Sequence, residues 1–144
     1  WGVNMRLQPL QAIVANHGLD ILTKVIDKRN INANLLDDGL RKLNPKVIIP
    51  NRIKGYRETF ALYMILCEKR DQLLNYLIKN KIEAKIHYPI PLHLQKAAKK
   101  LGYSKGSFPI AEYQAKSIIT LPVHQFLNKK QINFMIKKIT NFYS

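Results

Sequence analysis

Between Pro9 and about Leu43 the apolar residues Leu10, Ile13, Val14, Ile21, Val25, Leu35, Leu36 and Leu40 recur at mostly helical separations, and no alternating strand pattern interrupts them. The spacing predicts one long helical region, opened by Pro9, which suits a first turn because its missing N–H has no partner there anyway. If continuous it would run about 50 Å at 1.5 Å per residue. Gly18 and the polar stretch "KRNINAN" are its weak points, so a bend or break is expected near one of them. A helix longer than a small domain is wide is expected to cross between domains or subunits.

After Asn44 and Pro45 the pattern changes. "KVIIP" reads as a short strand, "NRIKGYRE" as a polar loop flexible at Gly55, and the uncharged "TFALYMILC" as a central strand rich in β-formers. Asp71 is expected to cap the next helix, whose stripe is Leu73, Leu74, Leu77 and Ile78, with Asn80 at its left-handed end. "IEAKIHY" alternates, setting Ile82, Ala84, Ile86 and Tyr88 on one face of a strand and Glu83, Lys85 and His87 on the other. "LQKAAKKLG" predicts a short helix closed by Gly102. "FPIAEYQAKSIITLP" predicts a second, bounded by Pro109 and Pro122. The last helix carries Asn128 and Gln131 at capping-box positions and a stripe of Ile132, Met135, Ile136, Ile139 and Phe142. Two or three strands covered by several helices make an α+β domain.

Composition narrows the class. With 144 residues, 47% of them hydrophobic, the chain suffices for one domain with a real core and is too short for two ordinary ones. No run of about 18 uncharged apolar residues occurs, and "WGVNMRLQPLQ" lacks the order of an export signal, so a soluble, cytoplasmic protein without a membrane segment is expected. The opening at Trp1, without methionine and directly before a helix, reads as a piece of a longer polypeptide. Cys67 is the single cysteine and is expected to pack as a small hydrophobe. A formal charge of +15 would fit either a nucleic-acid binder or a protein handling phosphorylated ligands. The basic residues are spread along the chain and match no nucleic-acid motif, which disfavours the first.

Chemistry concentrates in "KIHYPIPLHLQ". Two imidazoles, His87 and His93, are too few for a metal site, and Pro89 and Pro91 hold the path between them extended. Pro89 and Pro91 also bias Tyr88 and Ile90 toward extended conformations, so flanking side chains lose little entropy on binding. Packing against the core edge is an equally good reading of Tyr88 and His93. Near the start, Asn4 and Arg6 precede a helix, where an amide and a guanidinium could meet a phosphate. His17 and His124 carry no such company, and His124 is read as a cation at a helix end. No hydrolase triad pattern and no glycine-rich phosphate loop is present.

Two segments together carry a resemblance. "GVNMRLQPLQA" resembles the Gly-x-Asn-x-Arg-Leu-x-x-x-Gln-Ala segment of the DegT/DnrJ/EryC1/StrS sugar aminotransferases, and "HYPIPLH", "GSFPIAE" and "LPVH" resemble the C-terminal part of the same family, in the same order. The resemblance implies an enzyme of aspartate-aminotransferase fold (fold type I) that uses pyridoxal 5'-phosphate. Residues 1–44 would be its bridging helical segment and 45–144 its C-terminal α/β small domain, while the large domain with the Schiff-base lysine would lie upstream. It also implies amino transfer, usually from glutamate, to a nucleotide-linked keto sugar, with a lean toward 3-keto sugars, in a homodimer with shared active sites. Asn4 would reach the cofactor phosphate in the neighbouring subunit, Arg6 would meet the sugar nucleotide, and His87, Tyr88 and His93 would line the sugar pocket. No catalytic residue is expected within this chain. Relatives that dehydrate sugars share the fold and carry histidine in place of the upstream lysine, and they remain an alternative, as does a non-enzymatic basic nucleic-acid module.

Overall fold

A computed structural model describes residues 7–144; Asn4 and Arg6 lie outside the described residues. Helix α1 (Pro9–Leu40) leads into a 3-10 turn, then β1 (Val47–Ile48), β2 (Tyr63–Cys67), α2 (Arg70–Lys79), α3 (Pro109–Ser117), β3 (Ile118–Leu121) and α4 (Lys129–Tyr143). The strands form an antiparallel sheet in the order β1-β2-β3, with Val47 opposite Cys67 and Tyr63 opposite Leu121.

Side chains alternate across a pleated strand, so the sheet has two different faces. Val47, Tyr63, Ile65, Cys67, Ile119 and Leu121 point into the core, where Leu36 and Leu40 of α1, Leu73 and Leu77 of α2, and Ile132, Met135 and Ile139 of α4 cover them. Each fully buried aliphatic side chain contributes about 1.5 to 3 kcal/mol. The other face carries Ile48, Met64, Leu66, Ile118 and Thr120, and is only partly covered, Ile48 and Met64 being exposed.

α1 is unbroken through both expected weak points. Its "KRNINAN" stretch is polar because it is the docking face: Asn30 Nδ2 donates to the carbonyls of Ile26 at 2.9 Å and Glu58 at 2.8 Å, and Asn32 Nδ2 donates to that of His124 at 3.0 Å. Asp37 is buried and accepts two bonds from Arg52, at 2.9 and 3.1 Å, and one from the Tyr63 hydroxyl at 2.6 Å. Burial first, then Asp37, pushes the Tyr63 hydroxyl far above its ordinary range, and the bond to Asp37 raises Arg52. This network ties the long loop before β2 to α1. The amino-terminal half of α1 has no such contacts: Leu10, Ile13, Val14, Leu19 and Ile21 are exposed, Leu10 at 73%.

Other elements differ from expectation. The segment 82–88 is no strand; Ile82 and Ala84 are buried as the alternation requires, but a single bridge, Lys85 with Thr120, joins it to the sheet. The third strand is β3, inside a stretch whose helical periodicity hid the β-branched run Ile118, Ile119, Thr120. Strand β2 covers only the latter part of "TFALYMILC". Asp71 lies in the first turn of α2 and accepts from Arg70 Nε at 2.7 Å, while Lys69 is the N-cap. The left-handed residue after α2 is Lys81, φ 62°, not Asn80. Within "LQKAAKKLG" the helix is the 3-10 stretch Lys96–Leu101, preceded by a 3-10 turn at Leu92–Leu94 and closed by Gly102 with φ 77°. The capping box of α4 forms as expected, Asn128 Oδ1 accepting from the Gln131 amide at 3.0 Å. Among the described residues no helix is long and apolar enough to cross a membrane.

Candidate functional site

The partly covered sheet face is where the polar groups gather. The bridge pins Lys85 to Thr120 by two backbone bonds, Lys85 N–H to Thr120 O at 3.1 Å and Thr120 N–H to Lys85 O at 2.8 Å. Two residues on, His87 projects from the same face of the chain, and its Nδ1 lies 2.9 Å from Thr120 Oγ1. Oγ1 in turn donates to the Lys85 carbonyl at 3.0 Å. The imidazole is therefore held by a strand side chain and not by a loop alone.

Tyr88 goes the other way. It is 71% exposed, its ring standing edge-on to His87 with centroids 5.6 Å apart. The peptide between His87 and Tyr88 is cis. His87 is held against Thr120, while Tyr88, which the alternation would group with the buried Ile82 and Ala84, reaches out instead.

His87 lines a cavity of about 300 Å³ with Arg29, Lys85, Thr120, Pro122 and His124. Arg29 comes from α1, where its guanidinium donates to the Phe60 carbonyl at 3.0 Å and to Gln125 Oε1 at 3.3 Å. Glu83 also faces this cavity, but its charge is met by Lys85 at 2.7 Å, which holds the carboxyl below the usual range. Basic groups thus outnumber unpaired acids, a set suited to an anionic ligand. An adjoining cleft of about 430 Å³, floored by Ile82, Leu127 and Met135 and edged by Phe134 and Lys130, shares Glu83, Pro122 and His124 with it.

His93 is placed elsewhere. It is buried on the 3-10 turn Leu92–Leu94, with Nε2 3.0 Å from Glu112 Oε1 and its ring edge-on to Phe108. The same Glu112 oxygen accepts the Gly106 amide at 2.7 Å. That amide first, then His93, holds the Glu112 carboxyl below its ordinary range. The pair clamps the 102–108 loop onto α3 and does not line the His87 cavity.

His17 lies on the protruding part of α1 and is exposed. His124 does not end a helix; it follows β3 and faces both cavities. Arg29, Thr120 and His124 are the residues that sequence reasoning missed as site members. The one available signal was the β-branched run ending in "LPVH", which marks a strand delivering its last residues to a common edge. Cys67 is buried, and burial pushes its thiol up to about 11, so it packs and does not react. Among the described residues no group of three or more histidine, cysteine, aspartate or glutamate side chains could hold a metal ion.

Comparison with known proteins gives a consistent result. The family model described as the DegT/DnrJ/EryC1/StrS aminotransferase family matches residues 1–140. The chain is 33% identical over 146 residues to the pleiotropic regulatory protein of Geobacillus stearothermophilus, covering 99% of this chain and 38% of that one. It is 26% identical to the dTDP-3-amino-3,6-dideoxy-alpha-D-galactopyranose transaminase of Aneurinibacillus thermoaerophilus, covering 98% and 38%. Among solved structures it resembles S. venezuelae DesV, crystallised in complex with a ketimine intermediate, with a TM-score of 0.92 at 29% identity, covering 99% of this chain and 38% of that chain. The chain therefore spans well under half the length of the relatives it matches.

Proposed function

The chain belongs to the DegT/DnrJ/EryC1/StrS aminotransferase family, and from that premise we propose that it is the C-terminal part of an enzyme of aspartate-aminotransferase fold that transfers an amino group from glutamate to a nucleotide-linked 3-keto sugar. Residues 1–44 are then the bridging helical segment, with α1 (Pro9–Leu40) its described helix, and 45–144 the small domain. The observation that carries this reading is the His87 cavity, where Arg29, His124 and a fixed imidazole face one opening beside the exposed Tyr88. The name of the A. thermoaerophilus relative puts the amino group on carbon 3, which supports the ring position.

In this reading pyridoxal phosphate, when bound, supplies the electron sink for amino transfer. Asn4 would hold its phosphate in the neighbouring subunit of a homodimer, and Arg6 would meet the nucleotide part of the substrate. The described residues would form a wall beside the cofactor, their donors meeting the anionic nucleotide sugar. His87 and Tyr88 contact the sugar. His93, apart from the His87 cavity, holds the 102–108 loop on α3 through Glu112. The exposed stripe of α1, from Leu10 to Ile21, docks against the large domain or the partner subunit, because apolar surface of that extent is stabilised by cover.

The test uses the full-length protein with pyridoxal phosphate, glutamate and a nucleotide-linked 3-keto sugar. Formation of 2-oxoglutarate together with the amino sugar is expected. Loss of a sugar hydroxyl without amino transfer would replace the reading with the dehydratase one, and salt-sensitive DNA binding without either reaction would favour the nucleic-acid module.

A further inference from the structure

We propose that Thr120 is a positioning residue that fixes the tautomer of His87, so that the neutral ring offers Nε2 to the sugar as a hydrogen-bond acceptor. This rests on the reading of His87 as a sugar contact and adds what kind of sugar group it takes: a hydroxyl, which donates.

A threonine hydroxyl has one proton to give and lone pairs with which to accept. Thr120 Oγ1 lies 3.0 Å from the Lys85 carbonyl and 2.9 Å from His87 Nδ1. The carbonyl can only accept, and it cannot turn away, because it also accepts the Thr120 N–H at 2.8 Å and the return bond from Lys85 N–H to the Thr120 carbonyl, at 3.1 Å, holds the pair in register. If the hydroxyl proton goes to the carbonyl, Nδ1 must carry a hydrogen and donate it to Oγ1, and both contacts are hydrogen bonds. If the proton went to Nδ1, the carbonyl contact would be lost, leaving one bond fewer in a place where Thr120 is buried at 4% exposure. The arrangement with both bonds wins.

The consequence falls on the far side of the ring. With hydrogen on Nδ1, neutral His87 has its lone pair on Nε2, the reverse of the tautomer that free histidine prefers. Of the other polar groups around the cavity, Arg29 and Lys85 are donors only, Glu83 is paired, and His124 has no strand side chain fixing its ring in this way. Nε2 of His87 is thus an acceptor of fixed direction, placed to orient a sugar hydroxyl among donors suited to the anionic part of the ligand.

Two measurements on the full-length protein separate this proposal from the reading beneath it. With histidine labelled in nitrogen-15, long-range proton–nitrogen spectra at alkaline pH should show His87 protonated on Nδ1. Thr120→Val should move the proton to Nε2, and Thr120→Ser should leave it on Nδ1. A wild-type ring protonated on Nε2, or an unchanged ring in Thr120→Val, overturns the proposal. In steady-state kinetics Thr120→Val should raise KM for the nucleotide sugar by about tenfold, the loss of one hydrogen bond, with KM for the amino donor unmoved and most of the loss recovered in Thr120→Ser. If His87→Ala leaves the sugar KM unchanged, the sugar-contact reading fails while the tautomer result still stands. If His87→Ala raises it and Thr120→Val does not, the positioning role fails alone.

Discussion

Helices α1 and α4 meet at Gly39. A Cβ placed there would lie 2.6, 2.7 and 2.9 Å from Cδ1, Cγ2 and Cγ1 of Ile136. Ordinary carbon contacts need about 3.5 to 4.0 Å, so close to 1 Å of separation must be found. Ile136 cannot supply it by turning, since a β-branched side chain in a helix is confined to one χ1 well. Overpacking of this kind costs about 1 to 3 kcal/mol, and the better helix propensity of alanine returns about 1. Gly39→Ala is therefore expected to destabilise by about 1 kcal/mol. Ile136→Ala, at a half-buried position, should cost about 1.5 kcal/mol. Carrying both changes removes all three clashing atoms and keeps the propensity gain, so the double variant should lose only about 0.5 kcal/mol, against about 2.5 if the two were independent. Urea unfolding followed by far-ultraviolet circular dichroism measures all four corners of this cycle. Stabilisation by Gly39→Ala alone, with a coupling within about 0.5 kcal/mol of zero, would refute the close approach.

Asp37→Asn leaves one oxygen where a carboxylate serves Arg52 twice and Tyr63 once; a loss of about 3 kcal/mol is expected, read as a lower urea midpoint with unchanged slope. Cys67 predicts an alkaline limb: its thiol moves from an ordinary 9.0 to about 11 on folding. Above pH 9 the unfolded chain loses a proton that the native chain keeps, so the contribution is whole below pH 9 and lost as pH rises to about 11. Cys67→Ala should flatten that window and leave the further loss above pH 10 that belongs to the buried Tyr63 and Tyr143 hydroxyls, both also raised. Replacing Leu10 and Ile13 by glutamine, both exposed on the free half of α1, should change the stability of the small domain by less than about 0.5 kcal/mol yet weaken subunit or domain association of the full-length protein in sedimentation; unchanged association would remove the docking role of that stripe.

What could be read from the sequence was what neighbouring residues decide among themselves. The α4 capping box needs only Asn128 and Gln131, three apart, and it forms. The long α1 follows from its apolar spacing, and Gly102 ends a turn because it alone relieves a positive φ. Misreadings began where a distant partner decided. "SIITLP" continues the period of α3, and only pairing with β2, more than fifty residues earlier in the chain, makes it a strand. In the same way "KRNINAN" looked like a place for α1 to break, because the carbonyls of Glu58 and His124 that satisfy Asn30 and Asn32 come from remote loops.

One of these errors accounts for most of what was missed at the site. Read as a helix end, "ITLPVH" makes Thr120 a poor helix former and His124 a cation near a dipole, and neither has a reason to face His87. Read as β3, it sets Thr120 on the partly covered face, in register with Lys85, and brings His124 to the mouth of the same cavity. The proline segment could announce that His87 and Tyr88 are held stiffly, because proline restricts its neighbours locally. It could not announce against what, since the residue that fixes the His87 ring is thirty-three positions away and meets it only through the sheet. The acceptor at Nε2 is for that reason a property of the fold: it follows from Thr120 having no proton left for Nδ1 once its own backbone partner has been satisfied.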